Sequence, residues 1–171
     1  MQCLMVEALE LRIREATEDD LPAMEWEGEF IRFRRVYQDA MKEAKKGKRV
    51  ILVAEAGDAL IGQIFVNLHS TWRTSSFGQR TGYLHSFRVK PEFRNQGVGR
   101  RLILQAESDL KARGYRRAVI SVAKTNHDAL RLYRTLGYVA FREDPGRWSF
   151  LDHQNQVQHI TEPAYILHKT L

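Results

Sequence analysis

The chain has 171 residues, 43% of them hydrophobic and 28% charged, with a formal net charge of +6. That length suits one domain with its own core, and the balance is that of a globular chain rather than a disordered or fibrous one. Its apolar runs fall far short of the roughly 20 residues a membrane-crossing helix needs, and a single cysteine, Cys3, excludes an intrachain disulfide and a Cys-based metal cluster. Residues 1–10 lack the basic start and apolar stretch of a signal peptide, which makes a cytoplasmic location the default expectation.

Residues 11–16 alternate as a short strand, and Thr17 followed by Glu18, Asp19 and Asp20 opens a helix. One or two helices follow, broken near Gly28, the second running over about residues 30–45. Residues 49–55 and 60–68 are β-rich and joined by Ala56-Gly57-Asp58-Ala59, which reads as a hairpin. A polar stretch, 70–80, leads into a strand at 82–89. The segment 99–111 is helical, with Val98, Leu102, Ile103, Ala106 and Leu110 on one face. After a strand at 118–122, Asn126 caps a helix carrying Ala129, Leu130, Leu132, Tyr133 and Leu136, and Gly137 stops it. Strands at 138–141 and 164–167 close the chain, with a polar insertion between them at 143–163. The order predicts a mixed α/β sheet with helices on both faces.

The positive charge is unevenly placed. Residues 15–29 hold seven acids and no Lys or Arg, whereas Arg88, Lys90, Arg94, Arg100 and Arg101 crowd around the single acid Glu92. A nucleic-acid binder would show a basic helix with base readers or an aromatic platform, and neither is present. The basic segment coincides instead with Arg94-Asn95-Gln96-Gly97-Val98-Gly99-Arg100, a glycine turn between strand and helix. There Gly97 and Gly99 lack the Cβ atoms that would hold phosphates away, and a helix N-terminus adds partial positive charge. No Gly-Lys-Ser/Thr follows, and the third glycine and distal acid of a dinucleotide site are missing, which excludes ATP and NAD motifs. A small phosphorylated ligand other than these is expected, and plain turn chemistry is the alternative.

Taken together, these motifs resemble the GCN5-related N-acetyltransferase (GNAT) superfamily, and the resemblance covers almost the whole chain. Arg94-x-x-Gly97-x-Gly99 looks like that superfamily's acyl-CoA loop, approached through Phe87-Arg88-Val89-Lys90-Pro91-Glu92-Phe93. Asn126-x-x-Ala129-x-x-Leu132-Tyr133-x-x-x-Gly137-Tyr138 is similar to its asparagine, tyrosine and Gly-aromatic pattern. The hairpin ending Leu60-Ile61-Gly62 is also typical. The resemblance implies one acyltransferase domain over 1–171, with 1–10 as an extension. Its central sheet would be largely antiparallel, of about six to seven strands, splayed at a bulge between the fourth and fifth.

It further implies acetyl-CoA as co-substrate, with Arg94, Asn95, Gln96, Gly97, Val98, Gly99 and Arg100 around the pyrophosphate. Phe87, Arg88 and Val89 would lie beside the pantetheine arm, with Asn126 and Tyr133 also contacting it. Val89 N–H would stabilise the oxyanion, and Tyr133 would protonate the leaving thiolate. Tyr133 also lies on an apolar helix face, where a core tyrosine is the plain alternative. Family members often carry a glutamate on the fourth strand, and this chain has none. His85, two residues before Phe87 and expected on the same face, becomes the candidate base, with Glu25, Glu27, His69 or a water chain as alternatives.

The acceptor site is expected around Glu25, Trp26, Glu27, Glu29, Phe30, Tyr37 and residues 72–77. Acids beside aromatics there suit a cationic amine on a small molecule or a protein, or they only solvate a helix. The insertion with Trp148, Phe150, His153 and His159 reads as a lid or a homodimer contact, with no metal-ligand spacing. A different acyl-CoA, or a non-catalytic acyl-CoA sensor, remains as an alternative reading; no nucleic-acid or membrane partner is expected.

Overall fold

The computed structural model describes residues 10–68 and 80–171. A seven-stranded sheet runs in the order β1 (Leu11–Glu15), β2 (Arg49–Ala56), β3 (Ala59–Asn67), β4 (Thr81–Val89), β5 (Arg117–Ala123), β9 (Ala164–Thr170), β6 (Val139–Asp144). Every neighbouring pair is antiparallel except β4 and β5. The mixed, largely antiparallel sheet expected from the motifs is present.

The strands carry two apolar faces, and the sheet uses both. Val50, Leu52 and Ala54 of β2 pack toward α2 (Val98–Ala112) and α3 (His127–Thr135). Ile51 and Val53 pack on the opposite face with Phe65 against Tyr37, Ala40 and Met41 of α1 (Arg34–Lys45). The i, i+3, i+4 spacing of those three α1 residues puts them on one stripe. Val98, Leu102, Ile103, Ala106 and Leu110 form the buried stripe of α2. Glu107 is buried beside them, accepting from Lys169 Nζ at 2.8 and 3.0 Å and from the Tyr138 hydroxyl at 3.1 Å.

Two segments differ from the sequence expectation. Residues 18–33 form three single-turn 3₁₀ pieces rather than an α-helix (Glu18–Asp20, Ala23–Glu25 and Ile31–Phe33). Trp26, Glu27 and Gly28 all adopt positive φ, of 49°, 55° and 97°, which no right-handed helix accommodates. The polar insertion holds a two-stranded hairpin, β7 (Arg147–Leu151) and β8 (Val157–Thr161). Asp152 closes its turn by accepting the N–H groups of Gln154 and Gln156, both at 2.9 Å. No helix among the described residues is long and apolar enough to cross a membrane.

Arg14 ties the first strand to the turn after it. Its guanidinium donates twice to Asp20, at 2.7 and 2.8 Å, and through Nε to Glu55 at 2.8 Å. The bond from Arg14 holds the Asp20 carboxyl below its ordinary value, against the opposing effect of burial. A depressed carboxylate stabilises the fold above its unfolded pKa of about 4 and loses that contribution as pH falls through the folded value. Replacing Arg14 by Met should cost ~2 kcal/mol at pH 7. The melting temperature of the variant should also fall less than the parent's between pH 7 and about pH 3.

Candidate active site

The site begins where β4 and β5 part. Their pairing runs from Thr81↔Arg117 to Leu84↔Ile120 and stops, although β4 continues to Val89 and β5 to Ala123. The cause lies on the other edge of β4. Phe65 faces His85 and Gln63 faces Arg88, so two steps along β3 oppose three along β4. The extra residue is a β-bulge, with Ser86 at φ 51°. Buried Gln63 holds it, its amide donating to the Ser86 carbonyl at 3.2 Å. Farther along, Lys90 N–H donates to Ile61 O at 2.7 Å. Gly62↔Val89 is then a non-hydrogen-bonded pair, and the N–H of Val89 points away from β3 into the splay. By the same alternation the N–H of Phe87 points there too.

A cleft of about 580 Å³ fills the splay. On the α3 side it is lined by Phe87, Asn126 and Tyr133, and Ser121 to Ala123 form part of its floor. Asn126 Oδ1 accepts the Ala129 N–H at 3.2 Å and so caps α3. Tyr133, one helical stripe further, is buried between Phe87 and Tyr138, with ring centroids at 6.1 and 6.0 Å. Burial is the main cause that pushes its phenol well above the ordinary tyrosine range, with Tyr83 adding to the effect.

The glycine turn leads from β4 into α2. Asn95 (φ 59°) and Gly97 (φ 84°) are left-handed, and a Cβ on Gly97 would meet nothing within 4 Å. The turn is therefore open on that side. As the first residues of α2, Val98, Gly99 and Arg100 have N–H groups with no acceptor further back along the helix. Arg94 donates through Nε to the Val89 carbonyl at 2.9 Å, which fastens the turn to the end of β4. A Cβ on Gly99 would lie 2.8 Å from the Phe87 ring.

The opposite side of the cleft is aromatic and basic. Tyr83, His85, Arg88, Phe33, Tyr37, Arg147 and Trp148 line it. Arg88 lays its guanidinium over Phe30 at 3.7 Å, with Phe33 and Tyr37 at 5.4 and 5.6 Å. Phe33 in turn stacks on Trp148 of the hairpin, at 6.3 Å and 17°. His85 Nε2 lies 2.7 Å from Arg49 Nη1, and Nδ1 lies 3.1 Å from Ser86 Oγ.

The sequence matches the model of the Acetyltransferase (GNAT) family over residues 7–138. The chain belongs to that family. It is 32% identical over 95 residues to the thialysine N-epsilon-acetyltransferase of Sus scrofa, a match covering 55% of this chain and 53% of that one. The chain spans about half the length of the curated relatives it matches. Its fold is similar to PaiA N-acetyltransferase from Thermoplasma acidophilum in complex with coenzyme A. That likeness has a TM-score of 0.71 at 17% identity, over 95% of this chain and 100% of that one. It is likewise similar to Arabidopsis thaliana NAA60 in complex with acetyl-CoA, with a TM-score of 0.72 at 19% identity, over 95% and 99%.

Within this GNAT fold the expected residues separate into three groups. Phe87, Arg88, Asn126, Tyr133 and His85 meet at the cleft. Residues 94–100 form the adjoining turn, joined to it through the Phe87–Gly99 contact. His69 and 72–77 lie outside the described residues, as does Cys3. The expectation that His85 and Phe87 share a face is overturned, because the bulge between them inserts one residue into the alternation. His85 packs with Phe65, at 5.5 Å, on the α1 side, while Phe87 packs with Tyr133 on the α3 side.

The chemistry at several positions also departs from expectation. A guanidinium only donates, so His85 Nε2 accepts from Arg49 and its lone pair is engaged. Glu25 is bound by Arg34 at 2.8 and 2.9 Å, and exposed Glu27 lies 3.7 Å from Lys90. Of the two turn glycines, Gly97 keeps the open face, whereas Gly99 makes room for a ring. Arg147, Asp144 and Glu162 also line the cleft, and sequence reasoning did not single them out. Of the three, only Arg147 lies in the alternating run 147–151, and no local pattern marks Asp144 or Glu162. Gly99→Ala should push Phe87 toward the cleft and cost ~1–3 kcal/mol, read as a lower denaturant midpoint at unchanged slope. Gly97→Ala should cost ~1 kcal/mol through backbone strain alone.

Proposed function

We propose that this chain is an N-acetyltransferase that moves the acetyl group of acetyl-CoA to a primary amine by direct attack within a ternary complex. The observation that carries this reading is the cleft in the β4–β5 splay. It is lined from both faces of the sheet, and by strand alternation the N–H groups of Phe87 and Val89 face it along one wall. The open, left-handed turn at Asn95 and Gly97 and the first N–H groups of α2 fit a pyrophosphate, with Arg94 and Arg100 supplying charge. Acetyl-CoA would supply an activated thioester there. A transferase for a different acyl-CoA is the variant this site also accommodates.

The protein's own contributions follow from position. The Val89 N–H, with that of Phe87 beside it, would donate to the carbonyl oxygen as it gains charge. The Tyr133 hydroxyl would donate to the departing sulfur. Burial keeps its phenol protonated throughout the working pH range, and the same dry surroundings penalise a thiolate, which favours handing the proton over. Asn126 fixes the helix end that presents Tyr133. With His85 Nε2 taken up by Arg49, the ammonium proton would leave through water in the cleft rather than to the imidazole.

Calorimetric titration with acetyl-CoA, with dephospho-CoA and ATP as controls, tests the donor. Selective binding of acetyl-CoA is expected, and a folded protein that does not bind it refutes the reading. Binding without thiol release for any amine would indicate a sensor instead. Tyr133→Phe should keep acetyl-CoA binding and lower kcat by ~10²–10⁴-fold. His85→Ala should keep the acidic limb of the kcat/KM profile, and loss of that limb would return the base role to His85.

A further inference from the structure

Among the described residues, Arg88 has surroundings that conflict with a simple cationic-amine pocket. It follows the bulge directly, so its side chain leaves β4 on the face opposite Phe87 and Val89 and enters the wall of the cleft. There it is enclosed by rings, with Phe30 at 3.7 Å, Phe33 at 5.4 Å, Tyr37 at 5.6 Å and Trp26 at 6.0 Å. Its Nε is buried without a hydrogen-bond partner. Among the described residues no carboxylate forms an ion pair with it.

The electrostatics agree with that geometry. Burial, reinforced by the neighbouring Arg32, pushes the Arg88 guanidinium down to about 10, and Glu29 offsets this only in part. The side chain is still cationic at neutral pH. Burying an unpaired charge is costly, and ring faces recover only part of that cost. The aromatic surface that would have welcomed a substrate cation is already covered by a cation of the protein. The acids once expected to attract one are engaged or point outward, as Glu25 and Glu27 show.

We propose that the acceptor is an amine that carries its own carboxylate, an amino acid or close analogue, and that Arg88 binds that carboxylate in the aromatic enclosure. The inference rests on the acetyltransferase reading above and specifies its acceptor. Arg88 is adjacent in sequence to the two residues whose N–H groups face the acyl site. A carboxylate held by its side chain therefore places a nearby amine at the splay. A guanidinium fork also matches a carboxylate geometrically, which a lysine would not. The acceptor keeps its carboxylate through the reaction: the amine nitrogen forms the amide bond, the thioester carbon–sulfur bond breaks, and the amine gives up one proton as the thiol takes one.

The test measures thiol release with acetyl-CoA for the twenty L-amino acids, their carboxamides, and cadaverine and spermidine. At least one amino acid should be acetylated with kcat/KM about 10- to 100-fold above its own amide. In Arg88→Gln that ratio should collapse toward one, while Arg88→Lys should restore only part of it. The ratio compares two substrates of one protein, so a general loss of activity in the variant does not mimic the result. If Arg88→Gln does not fold, the ratio in the natural protein decides alone. Amides, polyamines or cadaverine used as well as the free amino acids would overturn the proposal. Acetyl-CoA binding with no amino acid accepted would overturn it too. Failure to bind acetyl-CoA at all would instead overturn the acetyltransferase reading on which it rests.

Discussion

The site depends on one extra residue in β4. A strand without the bulge would keep strict alternation, pair with β5 along its whole length and leave no gap between them. With Ser86 inserted, the strand bends, pairing ends at Leu84↔Ile120, and Phe87 and Val89 present their N–H groups to the cleft. The same insertion divides the side chains. Phe87 and Val89 go to the α2–α3 face with Tyr133, whereas His85 and Arg88 go to the α1 face with the aromatics. One backbone irregularity therefore creates the slot and divides the side chains of β4 between its two walls.

Such a bulge needs support, since its unpaired backbone groups would otherwise be stranded in the core. Gln63 provides it. Its amide nitrogen meets the Ser86 carbonyl, while its own oxygen is buried without a partner, a cost the core accepts at this point. The surrounding frame is stiff. Glu107 fastens α2 to β9 through Lys169 and to Tyr138 at the start of β6. Arg94 fastens the glycine turn to the last residue of β4. Local strain at Ser86 thus sits inside a network whose other contacts favour a single arrangement.

Much of this was legible in the sequence because it is local. The strand–turn–helix run at 82–111 shows in its alternation, its glycines and its i, i+4 stripe, and the Asn126 cap shows in one residue. The hairpin at Gly57-Asp58 is equally plain. What escaped was set by partners far away in the chain. The family resemblance implied a bulge at the splay, but nothing near Ser86 marks its position, which is defined only by the count of residues on β3 opposite it. Without the bulge, the period-two rule places His85 beside Phe87, and it fails by one residue. The engagement of His85 by Arg49 spans 36 positions, and no local pattern encodes it. Likewise, the entry signal at Thr17 to Asp20 suggested helix up to a break near Gly28; the break is there, as positive φ at Trp26 to Gly28, but residues 18–33 form only single 3₁₀ turns.

The aromatic wall of the cleft shows how a local reading of composition omits distant partners. Acids and aromatics are neighbours in the stretch 25–33, which reads as a cation trap. In three dimensions a cation from β4 and rings from the β7 hairpin complete that wall, and both come from distant segments. Phe33 is the common point: it stacks on Phe30 and Trp148, lies 4.9 Å from Phe150, and shares the Arg88 guanidinium with Tyr37. A guanidinium from β4 reverses the sign that the local acids suggest, because a buried charge outweighs several solvated ones screened by water. On this wall the charge the fold buries is the Arg88 guanidinium, and it is positive.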